Sequence, residues 1–405
     1  MSPSDGEARR LRVWLVDPSL FTAPYDAALT GGLLAADVDP TWAVRPVRPG
    51  DRQEIALEYV DDFFYRRVER LSGLPPALRA LGKGLGHALG LGRLVLRVLK
   101  QKPDAVHFQW LVVPPLDSLA ILALRVFAPV VLTVHDTVPF NGEYVSFWQN
   151  LAFDLPIKLS DGVVVHTRAG RDTLLRRGVA AHKISVIPHG PLPMHAAPSA
   201  QPALDASDAR FTFTLFGELK SYKGIDVLVE ALALLPDAIR GQARFIVAGR
   251  PRMDLAPLEA RIGELGLERA IELRPQRQSE QQMSDLFAGT DCFLFPYRQI
   301  DASGVYFLVK SLGKWLIASN IGIFAEDVQR EQGELVPVED ARALADAIAR
   351  AITTRPKPEP VPPGLAWARI GEQTRELYRA SQARRSLAPA AAKPSVAATS
   401  SEPAP

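Results

Sequence analysis

The stretch FGELKSYKGIDVLVE, residues Phe216–Glu230, places a strand, a turn and a helix in immediate succession. The apolar run that leads into it predicts a buried strand ending at Gly217, and a helix is predicted to begin after Gly224. The turn between them carries Lys220 and Lys223. A strand that passes through a glycine-containing turn into a helix is the repeating unit of an open parallel sheet. The stretch therefore predicts an α/β fold with a candidate ligand-binding turn.

The same alternation continues on both sides of this turn, where short apolar runs are separated by longer stretches suited to helices. Such alternation implies parallel sheets that are covered on both faces. We therefore expect two Rossmann-like, doubly wound parallel-sheet domains that face each other across a cleft. The predicted strands are Leu11–Asp17, Ala105–Phe108, Val130–Val134, Gly162–His166 and Ile184–Ile187 in the first half, and runs from Phe211, Ala243, Ala270, Cys292 and Trp315 in the second.

Changes in composition predict where the domains begin and end. A segment rich in Pro, Ala and Ser follows His189, and a Pro-rich spacer precedes a last helical stretch. The final residues are of low complexity and too poor in large apolar side chains to order themselves. The predicted parts are a first domain over 1–192, a linker over 193–209, a second domain over 210–364, a helix over 365–385 and a disordered tail over 386–405.

The overall composition excludes several classes of protein. The 405 residues hold 47 Lys and Arg against 45 Asp and Glu, a formal net charge of +2, which argues against a nucleic-acid binder. Cys292 is the single cysteine, so a disulfide framework and a multi-cysteine zinc site are excluded. The N-terminus lacks the apolar core of a signal peptide, and no apolar run is long enough to span a bilayer. We therefore expect a cytoplasmic protein.

Two polar turns are candidate anion sites. Lys220 and Lys223, beside glycines that let a backbone approach a ligand, can neutralise a diphosphate; the alternative is a solvated lysine-rich loop. In the second turn, Asp301 to Gly304, backbone N–H groups at the start of the following helix can bind a phosphate. Ser303 can donate to that phosphate or can instead cap the helix.

These two turns, in this order, resemble those of family 4 glycosyltransferases of the GT-B fold. Further similar strings occur in the N-terminal half, so that the resemblance covers residues 11 to 385. They are PYDAAL (Pro24–Leu29), KPDAVHFQW (Lys102–Trp110), VVLTVHDTVPF (Val130–Phe140) and the segment from Asp161 to Gly190.

The resemblance implies a transferase that takes its sugar from a nucleoside-diphosphate sugar, with no metal and no other cofactor. The C-terminal half would bind the donor and the N-terminal half the acceptor, and the last helix would cross back onto the first domain. His135 would face the transferred sugar, with a structural role at the strand end as the alternative. The implied donor-binding residues are Gly217, Lys220, Lys223, Ser303 and Gly304, and the implied acceptor-side residues are Tyr25, Asp26 and Asp136.

The sequence departs from the family pattern at the donor site. Glu218 replaces the usual basic residue after the strand-end glycine, and Trp315 replaces a proline. The usual pair of glutamates is missing, because its positions hold Ile300 and Leu308. Recognition of sugar hydroxyls is therefore expected from other residues, namely Asp301 or Glu326.

The sequence is compatible with two stereochemical outcomes, inversion and retention at the anomeric carbon. An inverting reaction requires a carboxylate base near the acceptor hydroxyl, and Asp26 and Asp136 are the candidates. A retaining reaction requires no such base, because the leaving phosphate can take the proton. Asp26 has a second interpretation, as the N-cap of the first helix.

A basic segment rich in leucine, Ala77–Lys102, carries six Lys and Arg and no acidic residue. Such a helix can lie in a membrane interface and attract anionic lipid; the alternative is a basic helix that packs on the first domain. The segment has no interleaved aromatic residues, which argues against single-stranded nucleic acid.

We therefore expect a peripherally membrane-associated hexosyltransferase that acts on a lipid-linked or saccharide acceptor in exopolysaccharide or lipopolysaccharide assembly. The missing glutamate pair leaves a non-catalytic GT-B scaffold protein as an alternative. A nucleotide-sugar epimerase-like enzyme, which would turn over without an acceptor, is the other.

Overall fold

The computed structural model describes residues 9–49, 51–66, 75–137, 152–199 and 208–387. These residues form two open sheets in which all paired strands are parallel. The strands are β1 Leu11–Asp17, β2 Val38–Val44, β3 Val60–Asp61, β4 Ala105–Phe108, β5 Val130–Val134, β6 Gly162–Val165, β7 Ile184–Val186, β8 Phe211–Phe216, β9 Ala243–Ala248, β10 Ile271–Arg274, β11 Cys292–Phe295, β12 Trp315–Ser319 and β13 Gly333–Val336.

The described helices flank these two sheets. They are α1 Ala23–Ala35, α2 Pro76–Gln101, α3 Pro114–Leu124, α4 Asp154–Leu159, α5 Arg168–Arg176, α6 Ile225–Ala233, α7 Asp237–Arg240, α8 Ala256–Glu264, α9 Glu280–Ala288, α10 Gly304–Lys310, α11 Gly322–Asp327, α12 Ala341–Thr354 and α13 Pro363–Leu387.

The order of the strands determines where a ligand can bind. The first sheet has the order β3-β2-β1-β4-β5-β6-β7, and the second has the order β10-β9-β8-β11-β12-β13. Strand order therefore reverses between β1 and β4 in one sheet and between β8 and β11 in the other. Ligands of such folds bind beyond the carboxyl ends of the strands at this reversal. The predicted fold of two doubly wound parallel-sheet domains is confirmed.

Strands β2, β3 and β13 were not predicted from the sequence. In β2, Asp39 and Pro40 interrupt the apolar run, although the strand pairs with β1 along its whole length. β13 reads GELV and is only half-buried in its middle. Tertiary contacts, and not local composition, make these segments strands.

The last helix, α13, packs on α1 of the first domain, where two glycines let the backbones touch. A Cβ added at Gly371 would lie 1.9 Å from the Gly32 carbonyl oxygen, and one added at Gly32 would lie 2.2 Å from the Trp367 carbonyl oxygen. The Trp367 indole also donates to the Pro191 carbonyl oxygen at 2.8 Å. The helix that was predicted to return to the first domain thus lies on α1.

Residues from both sequence halves share one core. His189, just before the predicted linker, stacks on Phe307 of the second domain with ring centroids 3.7 Å apart. Leu192 donates its N–H to the Phe307 carbonyl oxygen, and residues 196–199 bond to α9. The predicted linker therefore lies against the second domain where the structure describes it. The predicted disordered tail lies outside the described residues from position 388 onward.

Candidate active site

The turn after β8 is closely packed against the end of β9. Gly217 has φ +109° and Gly249 has φ +149°, and a Cβ added at Gly249 would lie 1.8 Å from the Gly217 carbonyl oxygen. A Cβ added at Gly217 would lie 2.6 Å from Lys223 Nζ. Both the backbone conformation and the space therefore require glycine at Gly217.

Lys223 lies beneath this turn with only 4% of its surface exposed. Its Nζ donates to the Phe216 carbonyl oxygen at 2.8 Å and lies 5.0 Å from the centroid of the Tyr297 ring. Burial, followed by the charge of Lys220, lowers the pKa of Lys223 to about 7. A buried lysine poised between its two charge states at a sheet reversal is a feature of functional sites. The alternative of a solvated lysine is wrong for Lys223.

Lys220 belongs to a small network of charges at the same turn. Its Nζ lies 3.2 Å from Glu218 Oε2, and Arg252 Nη2 lies 2.7 Å from Glu218 Oε1. Arg252 comes from the loop after β9. Arg252 thus places a positive charge beside Glu218, the residue that replaces the usual basic one.

Ser303 lies at the N-cap of α10, and its Oγ accepts a hydrogen bond from the Tyr306 N–H at 3.3 Å. Of the two predicted roles, the structure gives Ser303 the capping role. The helix begins at Gly304 and ends at Lys310. The turn is nevertheless close to the lysines, because Val305 and Lys223 both border Gly217.

Asp301 and Glu326 lie at the contact between the domains, where the sequence predicted ligands for sugar hydroxyls. Asp301 Oδ2 accepts from both the N–H and the hydroxyl of Thr137, each at 2.6 Å. The two carboxylate oxygens of Glu326 accept from the N–H groups of Arg168 and Ala169, at 2.7 and 2.9 Å. The expectation about these carboxylates is corrected: in this structure they join the second domain to the first.

Asp26 is fully buried in the first turn of α1, so its predicted N-cap role is wrong; Thr22 holds that position. Burial, followed by the charge of Asp17, raises the pKa of Asp26 well above its usual value. Its Oδ2 has no hydrogen-bond donor in the described chain. Burial and the neighbouring Asp17 therefore disfavour the charged form of Asp26. The role of Asp26 as a base stays a prediction.

Tyr25 is also buried and does not face open space as an acceptor ligand would. Its ring centroid lies 5.0 Å from that of His135, 4.7 Å from that of His189 and 5.2 Å from that of Trp367. The predicted acceptor-side role of Tyr25 is therefore replaced by a packing role beside His135.

His135 follows β5 and is held on both faces. Its ring stacks on Trp110 at a centroid distance of 5.1 Å and an interplanar angle of 12°, and Tyr25 meets it edge-on. His135 Nδ1 lies 3.1 Å from His166 Nε2, whereas His135 Nε2 is buried without a partner in the described chain. Burial, followed by the neighbouring His166, lowers the pKa of His135 well below its usual value. His135 is therefore neutral at pH 7.

A cavity opens next to His135 at the carboxyl end of the first sheet. It encloses about 530 Å³, including the part open to solvent. Gln109 Oε1, at the end of β4, is buried in its wall without a hydrogen-bond donor in the described chain. A buried polar atom left unpaired costs about 1–3 kcal/mol, which a bound ligand can offset. The lining residues are Gln109, Trp110, Leu111, Val112, Pro114, Leu132, Thr133, Val134, His135, Asp136, Phe153 and Ile157.

Sequence reasoning missed Gln109, His166, Thr137 and Arg252. Each of these residues follows a strand or lies one or two residues beyond a predicted site residue. Their position after a strand is therefore the feature of the sequence that could have identified them. Which strands are neighbours determines which of these side chains meet, and one sequence does not show this. Among the described residues, no group of three or more His, Cys, Asp or Glu side chains is placed to hold a metal ion.

Two doubly wound parallel-sheet domains in one chain, in contact through Asp301 and Glu326, are the architecture of the GT-B class of protein. The sequence profile of Glycosyltransferase Family 4 matches residues 27–190, and that of Glycosyl transferases group 1 matches residues 210–354. The chain therefore belongs to the family 4-like glycosyltransferases of the GT-B fold. No curated protein sequence gives a significant match.

Solved structures are similar over nearly the whole chain at low sequence identity. Anabaena Alr3699/HepE in complex with UDP and glucose has a TM-score of 0.59 and 18% identity, with 93% of this chain and 95% of that chain covered. The lipopolysaccharide outer core galactosyltransferase WaaB has a TM-score of 0.58 and 14% identity, covering 93% and 98%. The catalytic domain of Arabidopsis thaliana Starch Synthase IV, bound to ADP and acarbose, has a TM-score of 0.63 and 14% identity, covering 93% and 100%. These likenesses show the fold.

Proposed function

We propose that this glycosyltransferase moves a hexosyl group from a nucleoside-diphosphate sugar to a lipid-linked or saccharide acceptor. The proposed pathway is exopolysaccharide or lipopolysaccharide assembly on the cytoplasmic side of the membrane. The observation that carries the proposal is the buried ammonium of Lys223 at the strand reversal of the second sheet. The similar Anabaena structure contains UDP and glucose, which supports a nucleoside diphosphate as the leaving group.

In the proposed reaction the bond between the anomeric carbon and the phosphate oxygen breaks, and both electrons stay on the phosphate. The acceptor oxygen bonds to the anomeric carbon and loses its proton. In this proposal Lys223 and Lys220, which share the turn after β8, stabilise the charge that develops on the diphosphate. The acceptor proton goes to the leaving phosphate in a retaining reaction or to Asp136, at the cavity wall, in an inverting one.

A thermal-shift panel of nucleoside diphosphates and their sugars tests this function. A ligand that binds only the folded state raises the melting temperature, by an amount equivalent to about 2.7 kcal/mol at one hundred times its Kd. We expect one nucleoside diphosphate and its sugar to stabilise the protein, and the sugar to be consumed when a membrane extract supplies the acceptor. Consumption without an acceptor, at the same rate, would instead indicate the epimerase-like enzyme. Failure of every nucleotide to bind would contradict the proposal.

We also propose that helix α2 docks the enzyme on an anionic membrane surface. No described helix is long and apolar enough to cross a bilayer. The inward face of α2 packs on the first domain through Leu91, Leu94 and Val98, and Gly90 lets Phe64 approach the helix backbone closely. The alternative of a helix packed on the first domain is thus confirmed for this face only.

The outward face of α2 is a stripe of exposed leucines. Leu81 and Leu89 are 71% and 56% exposed, and the members of the stripe recur at the three- and four-residue spacing of one helix face. Arg93, Arg97 and Lys100 are exposed on the same helix, which carries no acid, and of these Arg97 pairs with Asp61 of β3 at 2.8 Å. Leucines beside basic groups fit an anionic lipid surface better than a protein partner of mixed charge. The leucine stripe consists of Leu78, Leu81, Leu85, Leu89, Leu96 and Leu99.

Replacement of Leu81, Leu85 and Leu89 together by glutamate should release the protein from vesicles of phosphatidylcholine and phosphatidylglycerol. Each leucine loses apolar burial and each glutamate is repelled by anionic lipid, so we expect binding to fall more than about 100-fold in co-sedimentation. Leu57→Glu, at an equally exposed leucine outside α2, is the matched control and should leave binding unchanged. Unaltered binding of the triple variant, or equal binding of the unmodified protein to neutral vesicles, would refute the docking surface.

A further inference from the structure

The ends of three neighbouring strands carry a chain of hydrogen bonds. His135 follows β5, His166 follows β6 and Ile187 follows β7, and these strands are adjacent in the first sheet. His166 Nδ1 lies 3.0 Å from the Ile187 carbonyl oxygen, and His166 Nε2 lies 3.1 Å from His135 Nδ1. The chain thus runs from a backbone carbonyl, through one imidazole, to a second imidazole at the cavity.

The carbonyl at one end determines where the protons lie. A carbonyl oxygen can only accept, so Nδ1 of His166 carries a proton. Burial lowers the pKa of His166 to about 4, so its ring is neutral at pH 7 and its Nε2 carries no proton. That Nε2 can therefore only accept, and His135 must donate from Nδ1. The Nε2 of neutral His135 is left as an unprotonated acceptor, which agrees with its having no partner in the described chain.

Gln109 brings a second acceptor to the same cavity. Its Nε2 faces the ring nitrogens of His107 at 3.3 and 3.4 Å, which leaves Oε1 buried and without a donor in the described chain. Both His135 and Gln109 line the cavity beside Trp110. Two lone-pair acceptors repel a phosphate and require a ligand that donates hydrogen bonds. Sugar hydroxyl groups meet this requirement.

The family resemblance already implies that His135 faces the transferred sugar, where its Nε2 can accept from one hydroxyl group. We propose that Gln109 Oε1 accepts a hydrogen bond from a second hydroxyl group of that sugar, and that His166 is the positioning residue that holds His135 in the Nδ1–H tautomer. The proposal rests on the proposed function for the identity of the ligand as a sugar. It replaces the missing glutamate pair, and the carboxylates of Asp301 and Glu326, as the source of hydroxyl recognition. The diphosphate stays with the lysines of the second domain.

Nitrogen-15 NMR of the histidine side chains tests the positioning role without any ligand. We expect His135 to be neutral and protonated at Nδ1 in the unmodified protein. His166→Gln keeps one acceptor and one donor, so His135 should stay in this tautomer, whereas His166→Phe should release it to a mixture. Protonation of His135 at Nε2 in the unmodified protein, or an unchanged tautomer in His166→Phe, would overturn the proposed positioning role.

Titration calorimetry with UDP and UDP-glucose, or with the pair that the thermal-shift panel selects, tests the hydroxyl site. Gln109→Leu and His166→Phe should lower the affinity for the nucleotide sugar about tenfold or more and leave the affinity for the nucleotide unchanged. An equal loss for both ligands would contradict hydroxyl recognition. If no nucleotide binds the unmodified protein, the proposed function and the hydroxyl site both fail, whereas the NMR result still decides the role of His166.

Discussion

Replacement of Lys223 by methionine should abolish nucleoside-diphosphate binding and at the same time raise the melting temperature of the unliganded protein. The loss of a buried cation opposite a diphosphate is expected to weaken binding by about 100-fold or more. Methionine, in contrast, fills the same space without the cost of burying an ammonium group. Calorimetric titration and thermal unfolding of the same samples measure the two effects.

The pH dependence of binding gives this experiment a second readout. The free protein holds Lys223 at a pKa of about 7, below its ordinary 10.5. A bound diphosphate favours the charged form and raises that pKa, so binding takes up a proton above pH 7. The affinity should therefore fall about tenfold per pH unit as the pH rises above 7, until the pKa of the bound state is reached.

The same shift sets the sign of the stability effect. The folded protein disfavours the charged lysine, so the destabilising contribution of Lys223 is complete below pH 7 and disappears as the pH rises toward 10.5. The gain in melting temperature from Lys223→Met should accordingly be largest below pH 7. Lys220→Met, at the neighbouring lysine paired with Glu218, is the matched control: it should weaken binding and keep the tenfold loss per pH unit, but move its onset above pH 7, because the charge of Lys220 helps to lower the pKa of Lys223. Full nucleotide affinity in Lys223→Met would rule out the donor site.

Substitution of alanine at Gly371 should destabilise the protein, although alanine is the better helix former. The added Cβ would lie 1.9 Å from the Gly32 carbonyl oxygen, so α13 must move away from α1. We expect the melting temperature to fall by roughly 5–10 °C, since overpacking costs about 1–3 kcal/mol or more.

Gly92→Ala is the matched control for this substitution. It adds the same methyl group to a helix interior where nothing lies within 4 Å of the new Cβ. The free energy of unfolding of the Gly92→Ala variant should rise by up to about 1 kcal/mol, which is the difference in helix propensity between glycine and alanine. Opposite signs for the two variants support the close crossing of α1 and α13; equal effects would show that the two helices do not touch there.

Local patterns in the sequence predicted most of the framework. Short, mostly apolar runs identify β1, β4, β5 and β8, because strands buried on both faces carry few charged residues. β2 escaped prediction because Pro40 and Asp39 lie within it, and only its pairing with β1 makes it a strand. The glycines of the turn likewise pointed to Gly217 and Lys223, since a closely packed turn requires glycine and glycine is visible in the sequence.

The site was predicted less well wherever one domain meets the other. The sequence offered Asp301 and Glu326 as free carboxylates, but their partners are Thr137 and backbone groups of α5, which lie in the first domain. Contacts across so many residues leave no periodicity or spacing in a single sequence. The neutral state of His135 was equally invisible, because it depends on the neighbouring strand that carries His166.

The two bridging carboxylates have a consequence for the pace of turnover. Asp301 and Glu326 of the second domain each accept two hydrogen bonds from the first domain. Under the proposed function the donor binds to the second domain and the acceptor to the first, so widening the gap between the domains to exchange them would break these hydrogen bonds. We expect this opening, rather than the making of the glycosidic bond, to limit the rate, as lid motions do in many enzymes.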